Sequence, residues 1–225
     1  KTFGDVELSI EGYYKNMQGL LSYVEGASFI LSAEEGWESK VTQGIGYSYG
    51  GEFLLQKKQG KFSGWIGYTL SWTNRKFEII NNGDWYPFTY DRRHDLSVVC
   101  NYKFNPYWDL GFIYVYGTGR ALTLTDVKFD TYASDSEVNP DIITVQVPSS
   151  KNSYRLSPYH RADISLTNTK QKDKFQRDWV FSIYNLYNNV NPFFAVPDED
   201  DAGNTVIREY GIFPMIPSVA FRVKF

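Results

Sequence analysis

His94 and His160 are the only histidines in this 225-residue chain, which makes them the first candidates for acid–base chemistry. A hydrolase would hold one of them against a serine and orient it with a carboxylate at one rim of the fold. Serines and aspartates are common here, so such neighbours arise without design, and hydrogen bonding at a strand end is the simpler expectation. The segment Asp198-Glu199-Asp200-Asp201-Ala202-Gly203-Asn204 offers carboxylates to calcium. It departs from the EF-hand order where Ala202 stands in place of a third ligand, and a solvated acidic loop is expected. Arg92 and Arg93 form a candidate ligand-contacting rim, because guanidinium forks match phosphate and carboxylate. Asp91 and Asp95 flank them as alternative bridging partners. Cys100, the only cysteine, falls on an apolar strand face, where it acts as a small hydrophobe. No residue is assigned to catalysis, to a metal or to a cofactor.

The elements that must position these residues alternate with period two, the signature of strands with one apolar face. Eight such segments are expected. Asp5 to Asn16 sets Val6, Leu8, Ile10 and Tyr14 against Glu7, Ser9, Glu11 and Lys15. Gly44 to Gln56 and Gly64 to Thr73 repeat the pattern, as do His94 to Asn105, Tyr107 to Tyr116, Arg161 to Thr169 and Trp179 to Tyr187. Pro217 to Phe225 closes the set, with Val219, Phe221, Val223 and Phe225 apolar and Ala220, Arg222 and Lys224 between them.

Connections alternate in length. Lys57 to Lys61, Asn105 to Tyr107 and Gln171 to Gln176 are tight turns. Met17 to Thr42, Ile80 to Arg93, Gly117 to Tyr159 and Asn188 to Ile216 are long and polar, which a compact soluble domain rarely contains four times over. The pattern suits an all-β transmembrane antiparallel β-barrel, with short turns on the periplasmic side and long loops outside. Aromatic residues near strand ends suggest two girdles at the headgroup level. One contains Trp65, Tyr102, Phe104, Trp108 and Trp179, the other Tyr14, Trp72, Tyr116 and Tyr187. The long loops add Trp37, Trp85, Tyr86, Phe88, Tyr132, Tyr154, Phe193 and Phe194, which either stack ligands or pin the loops.

Composition agrees. Aromatic residues make up 18% of the chain and charged residues 22%, a mixture suited to strands with lipid on one side and water on the other. No apolar run reaches the length of a transmembrane helix, and the net charge of −3 gives no basic footprint for nucleic acid. A single cysteine forms no intrachain disulfide. Residues 1–225 read as one domain. The opening Lys1-Thr-Phe-Gly lacks a signal-peptide pattern, which suggests a processed start or a start inside a longer gene product.

Several segments resemble, in order, the C-terminal part of TonB-dependent outer-membrane transporters, particularly those of Bacteroidetes-type bacteria. They are Glu11-Gly-Tyr-Tyr-Lys15, Gly50-Gly-Glu-Phe-Leu-Leu-Gln-Lys57, Gly67-Tyr-Thr-Leu-Ser-Trp72, Tyr90-Asp-Arg-Arg-His-Asp95, Tyr116-Gly-Thr-Gly119, Tyr159-His-Arg-Ala-Asp163, Ser182-Ile-Tyr-Asn-Leu-Tyr-Asn188 and Ile216-Pro-Ser-Val-Ala-Phe-Arg-Val-Lys-Phe225. The resemblance implies an importer of the bacterial cell outer membrane and not an enzyme. It implies that the final strand, through Val219, Phe221, Val223 and Phe225, is read by the barrel-assembly machinery.

Members of that family carry a plug inside a barrel of about 22 strands. This chain has no segment resembling the plug or the TonB-binding box, so the resemblance covers about eight C-terminal strands of the larger barrel. The implied partners are outer-membrane lipid, the remaining strands and plug, TonB acting through the absent N-terminal region, and a surface lipoprotein. The imported nutrient would be a glycan, peptide, siderophore or cobalamin. A self-contained small barrel acting as an adhesin or surface-binding protein is the alternative, and an outer-membrane lipid hydrolase or acyltransferase is the third. Small residues at Gly46, Ser48, Gly50, Gly67, Thr69, Ser71, Gly111, Ser165 and Ser182 favour the wide barrel, because a narrow one is filled by side chains.

Overall fold

The computed structural model describes residues 1–24, 36–132, 142–148, 150–201 and 205–225. Eight long strands occupy the expected positions: β1 (Val6–Tyr23), β2 (Val41–Lys57), β3 (Phe62–Phe77), β4 (His94–Asn105), β5 (Trp108–Gly117), β6 (Tyr159–Gln171), β7 (Gln176–Tyr184) and β8 (Ile216–Lys224). They form an antiparallel meander in which each strand pairs with the next. The sheet has ten strands rather than eight, because Thr2–Phe3 pairs with β1 and Tyr86–Pro87 with β3. It is open: among the described residues no ladder joins β8 back to β1.

Most strands run a few residues past the expected bounds, β3 for instance to Phe77 rather than Thr73, and two boundaries differ for a visible reason. β1 runs on to Tyr23 rather than ending at Asn16, passing a register shift between Met17 and Leu20. The bulge re-aims the strand without ending it. β7 stops at Tyr184, short of Tyr187, because Asn185 takes a left-handed φ of 55° that a strand does not accommodate.

Register decides which side chains share a face. One row runs Ile10, Phe53, Tyr68, Leu96, Tyr116, His160 from β1 to β6. Another runs Tyr102, Leu110, Leu166, Phe181, Val219 from β4 to β8. The apolar faces of all eight strands therefore merge into one surface, whose members include Ile10 at 75% and Val219 at 62% exposure. The opposite face carries the rows Glu11, Glu52, Thr69, Asp95 and Ser63, Asn101, Gly111, Ser165, Ser182, Ser218. It is polar and lined with small residues.

The rows are oblique to the strands. The row that starts at Val6, at the turn end of β1, passes Lys57, Gly64, Cys100, Phe112, Ile164 and Ile183 and reaches Pro217 near the loop end of β8. It climbs about seven residues over seven interstrand steps, a tilt of roughly 35° at ~3.3 Å per residue and ~4.8 Å per strand. Tilts of that size accompany barrel curvature.

The aromatic bands follow the register. Near the turn end of the apolar face Tyr102 packs edge-on to Phe104 at 5.1 Å, and Trp179 lies 4.7 Å from Phe221. Near the loop end Tyr14 pairs across the sheet with Tyr49, which stacks on Trp72 at 5.1 Å. Trp65 is a correction: its partners Gln56 and Val99 place it on the polar face. There it lines a shallow cavity of about 370 Å³ with Glu11, Glu52 and Asp95. It belongs to neither band on the apolar face.

Candidate functional site

The three tight turns lie at one end of the sheet and the four long connections at the other. The long connections are not irregular throughout. Ala121–Leu122 pairs with Tyr154–Arg155, Thr125–Tyr132 with Ile142–Pro148, and Pro192–Glu199 with Thr205–Gly211. These hairpins satisfy backbone groups that a polar loop would otherwise leave to water.

Asp91 holds the first junction between loops. Its side chain is 2% exposed, and its Oδ1 accepts the Thr73 N–H at 2.7 Å. That donor belongs to β3 just beyond the point where β4 begins to pair, so the carboxylate completes an interrupted ladder. Its Oδ2 is ion-paired with Arg155, and with Arg93 at 3.4 Å. Arg155 also donates to the Gly119 carbonyl at 3.2 Å. Gly119 is required there, since a Cβ would fall 1.7 Å from the Leu156 carbonyl oxygen.

Asn152 makes the second junction. It is buried, and its amide donates to the Pro87 carbonyl at 2.8 Å while its backbone N–H reaches Thr123 Oγ1 at 3.0 Å. Asn81 Oδ1 accepts the Lys151 N–H at 2.8 Å. Below these bonds Phe77, Ile80 and Tyr86 form a small buried core with Leu20 against it. A Cβ at Gly44 would fall 2.5 Å from the Phe77 ring.

Glu209 and Asn185 fix the last loop. Glu209 Oε1 accepts from Tyr154 Oη at 3.2 Å and from the Ser157 N–H at 2.9 Å. Burial first, and then the Glu209 charge, push the Tyr154 hydroxyl above its ordinary pKa. Asn185 is fully buried and donates to the carbonyls of Asn189 and Phe213 at 2.9 and 3.1 Å. The described parts of the connections after β3, β5 and β7 are thus cross-linked into one cap by buried or half-buried polar groups.

The predicted residues fall on this rim but do not converge. Arg92 reaches Asp95 at 3.7 Å, toward the polar face. Arg93 turns the other way, with its guanidinium carbon 4.5 Å from the centre of the Trp72 ring on the apolar face. His94 Nδ1 bonds Tyr68 Oη at 2.8 Å, and His160 Nδ1 bonds Tyr187 Oη at 2.9 Å. Among the described residues neither imidazole bonds a serine or a carboxylate, and the rings make the hydrogen bonds expected at strand ends.

Cys100 sits on the apolar face opposite Phe112. Asp198 pairs with Arg208 at 2.8 Å, while residues 202–204 of the acidic segment lie outside the described residues. No group of three or more metal-ligating side chains occurs among the described residues.

The loop aromatics mostly pin. Trp85 packs on Tyr47 at 4.9 Å and Arg75 lies 3.5 Å above Phe88. Phe194 instead stacks on Tyr210 at 5.0 Å with both rings exposed. The side chains of Trp37 and Tyr132 lie outside the described residues.

Asp91 and Asp95 pair with Arg93 and Arg92 as their flanking positions suggest, whereas the roles of Asn152, Arg155, Asn185 and Glu209 are not readable from their spacing. A weak signal existed in Asn81-Asn82-Gly83 and Asn188-Asn189, since Asn and Gly tolerate left-handed backbone. All five described non-glycine residues with positive φ are asparagines.

Compared with known proteins, the chain matches no family model, no curated protein and no solved structure.

Proposed function

We propose that this chain is the C-terminal wall of an outer-membrane β-barrel importer of the TonB-dependent type, contributing strands, an outer loop cap and the assembly signal. One observation carries the membrane part: the apolar faces of eight long strands fuse, through continuous oblique register, into a single exposed surface. Water does not favour an apolar surface of that extent. Lipid accepts it once every backbone group inside the bilayer is paired.

Pairing then requires strands beside β8 and beside β1 beyond the Val6–Glu7 stretch that Thr2–Phe3 covers, since an open edge in hydrocarbon costs several kcal/mol per unpaired group. The antiparallel order makes the edges of β1 and β8 complementary to further antiparallel neighbours. Small residues on the polar face suit a wide lumen more than a filled narrow one. Val219, Phe221 and Val223 complete the apolar face of β8 and, with Phe225, form the candidate assembly signal. The cap of cross-linked loops supplies an outer surface for capturing a nutrient, and the resemblance supplies the coupling to TonB through a plug elsewhere in the protein.

Spin labels test the membrane reading. Labels at Leu70, Phe112 and Phe181 are expected to contact lipid-soluble oxygen, whereas labels at Thr69 and Ser182 are not. Equal accessibility of the two sets would overturn it. The chain inventory and intact mass of the purified particle test the larger barrel: a lone stable barrel of this chain would replace the importer with the small-barrel alternative.

A further inference from the structure

We infer that the loop-end rim of the apolar face holds a binding site for the phosphate headgroup of an anionic lipid, built from Arg93, His94 and Tyr68 around Trp72. The inference rests on the membrane reading above and adds a ligand chemistry to one place on the wall. Trp72 and Tyr68 lie four residues apart on the apolar face of β3, and His94 pairs with Leu70 between them. The three side chains therefore occupy adjacent positions, a few ångströms apart on a pleated strand pair.

Charge at this point is positive. Asp91 meets two guanidinium groups, those of Arg155 and Arg93, so the cluster of three carries one excess positive charge. Arg92 is balanced separately by Asp95. The Arg93 side chain keeps 34% of its surface exposed, and its contact with Asp91 is a long 3.4 Å. Trp72 supports the guanidinium from beneath at 4.5 Å, which orients a planar fork at low entropic cost.

The histidine is oriented as well. Nδ1 of His94 is engaged by Tyr68 Oη at 2.8 Å, and the two rings stack at 6.2 Å. Nε2 has no protein partner among the described residues. Fork and imidazole together match the oxygens of a phosphodiester, and the aliphatic rows below them accept the acyl chains. His160 has the same tyrosine partner geometry through Tyr187, but its neighbour Arg161 is held by Asp163 and Tyr184 on the polar face instead of standing beside it on the apolar one. It is the internal control.

Native mass spectrometry tests the site on the complete protein in a neutral detergent, titrated with short-chain phosphatidylglycerol or phosphatidylcholine. Wild type is expected to retain phosphatidylglycerol in preference to phosphatidylcholine. Arg93→Gln is expected to lose about tenfold in that preference, the size of one charge-assisted contact. His94→Gln should fall in the same direction, Arg93→Lys should keep part of the preference, and His160→Gln should match wild type. An unchanged preference in Arg93→Gln, or an equal loss in His160→Gln, would overturn the site.

Inorganic phosphate is the second probe. Displacement of the lipid by inorganic phosphate at equal concentration would assign the site to free anions and overturn the lipid source. The Leu70 and Thr69 spin labels separate the two readings. Labels behaving as expected together with an unchanged lipid preference would sink the headgroup site alone. Labels behaving alike would sink the membrane reading and the lipid source with it.

Discussion

Asp91 and Arg155, 64 residues apart in sequence, form a half-buried ion pair that ties the connection after β3 to the connection after β5. The same carboxylate completes the β3 ladder at Thr73. Replacing Asp91 with Ala removes an acceptor from a backbone donor and leaves two guanidinium groups facing each other. Half-exposure of the arginines softens the penalty, so the local loss is expected at about 2–3 kcal/mol. Hydrogen exchange is expected to show lost protection at residues 71–73, 119–122 and 154–156, with the turn-end halves of the strands unchanged.

Gly119 meets the Leu156 carbonyl so closely that any Cβ collides with backbone. Gly119→Ala is expected to unpair Ala121–Leu122 from Tyr154–Arg155 and to release the Arg155 contact with it. Overpacking of this kind costs on the order of 1–3 kcal/mol. Limited proteolysis within residues 118–158 is the measurement, and wild-type resistance in the variant would contradict the close packing.

Alkaline pH should open the contact between Tyr154 and Glu209. The Tyr154 pKa is raised in the folded state by burial first and then by the neighbouring carboxylate. A raised folded pKa means that the folded form holds the proton more tightly. Its contribution is full below the ordinary tyrosine pKa of about 10 and is lost as pH climbs through the folded value. Hydrogen exchange at Ser157, whose N–H bonds the same carboxylate, should quicken above about pH 10 beyond the intrinsic increase. Tyr154→Phe should abolish that extra step.

Cys100 provides a native probe of the apolar face. Opposite Phe112 and Gly64, its thiol is expected to react in membranes with a lipid-soluble maleimide and to resist a charged thiosulfonate. Rapid labelling by the charged reagent would place that face in water.

Phe221 packs on Trp179 at 4.7 Å, and Phe225 lies 6.5 Å from Phe175. If the face of β8 is the assembly signal, Phe225→Ala should lower the amount of heat-modifiable, membrane-inserted protein in cells several-fold. Arg222→Gln, on the other face, should not. Equal behaviour of the two variants would separate β8 from any assembly role.

The sequence by itself determined the strands and their faces. Period-two alternation depends only on which residues follow one another, so Val6, Leu8, Ile10 and Val219 fall on an apolar face whatever strand lies beside them. Turn lengths were equally local, and the tight turns appear where Gly, Pro and charged residues cluster. Trp65 escaped because proximity to a strand end says nothing about parity. The hairpins in the long connections are not legible because their segments are short, of two to eight residues, and lack a sustained alternation.

Only the tertiary structure decided the rim. Arg92 and Arg93 are neighbours in sequence, yet register sends one toward Asp95 and the other over Trp72. Asp91 gains its importance from Arg155, and Asn152 from Pro87 and Thr123. These partners are separated by tens of residues. Burial of a polar side chain in a loop is stable only when distant groups satisfy it, and spacing along the chain carries no record of which distant group arrives. Alternation is a property of one strand, whereas an ion pair between loops is a property of how the strands are ordered.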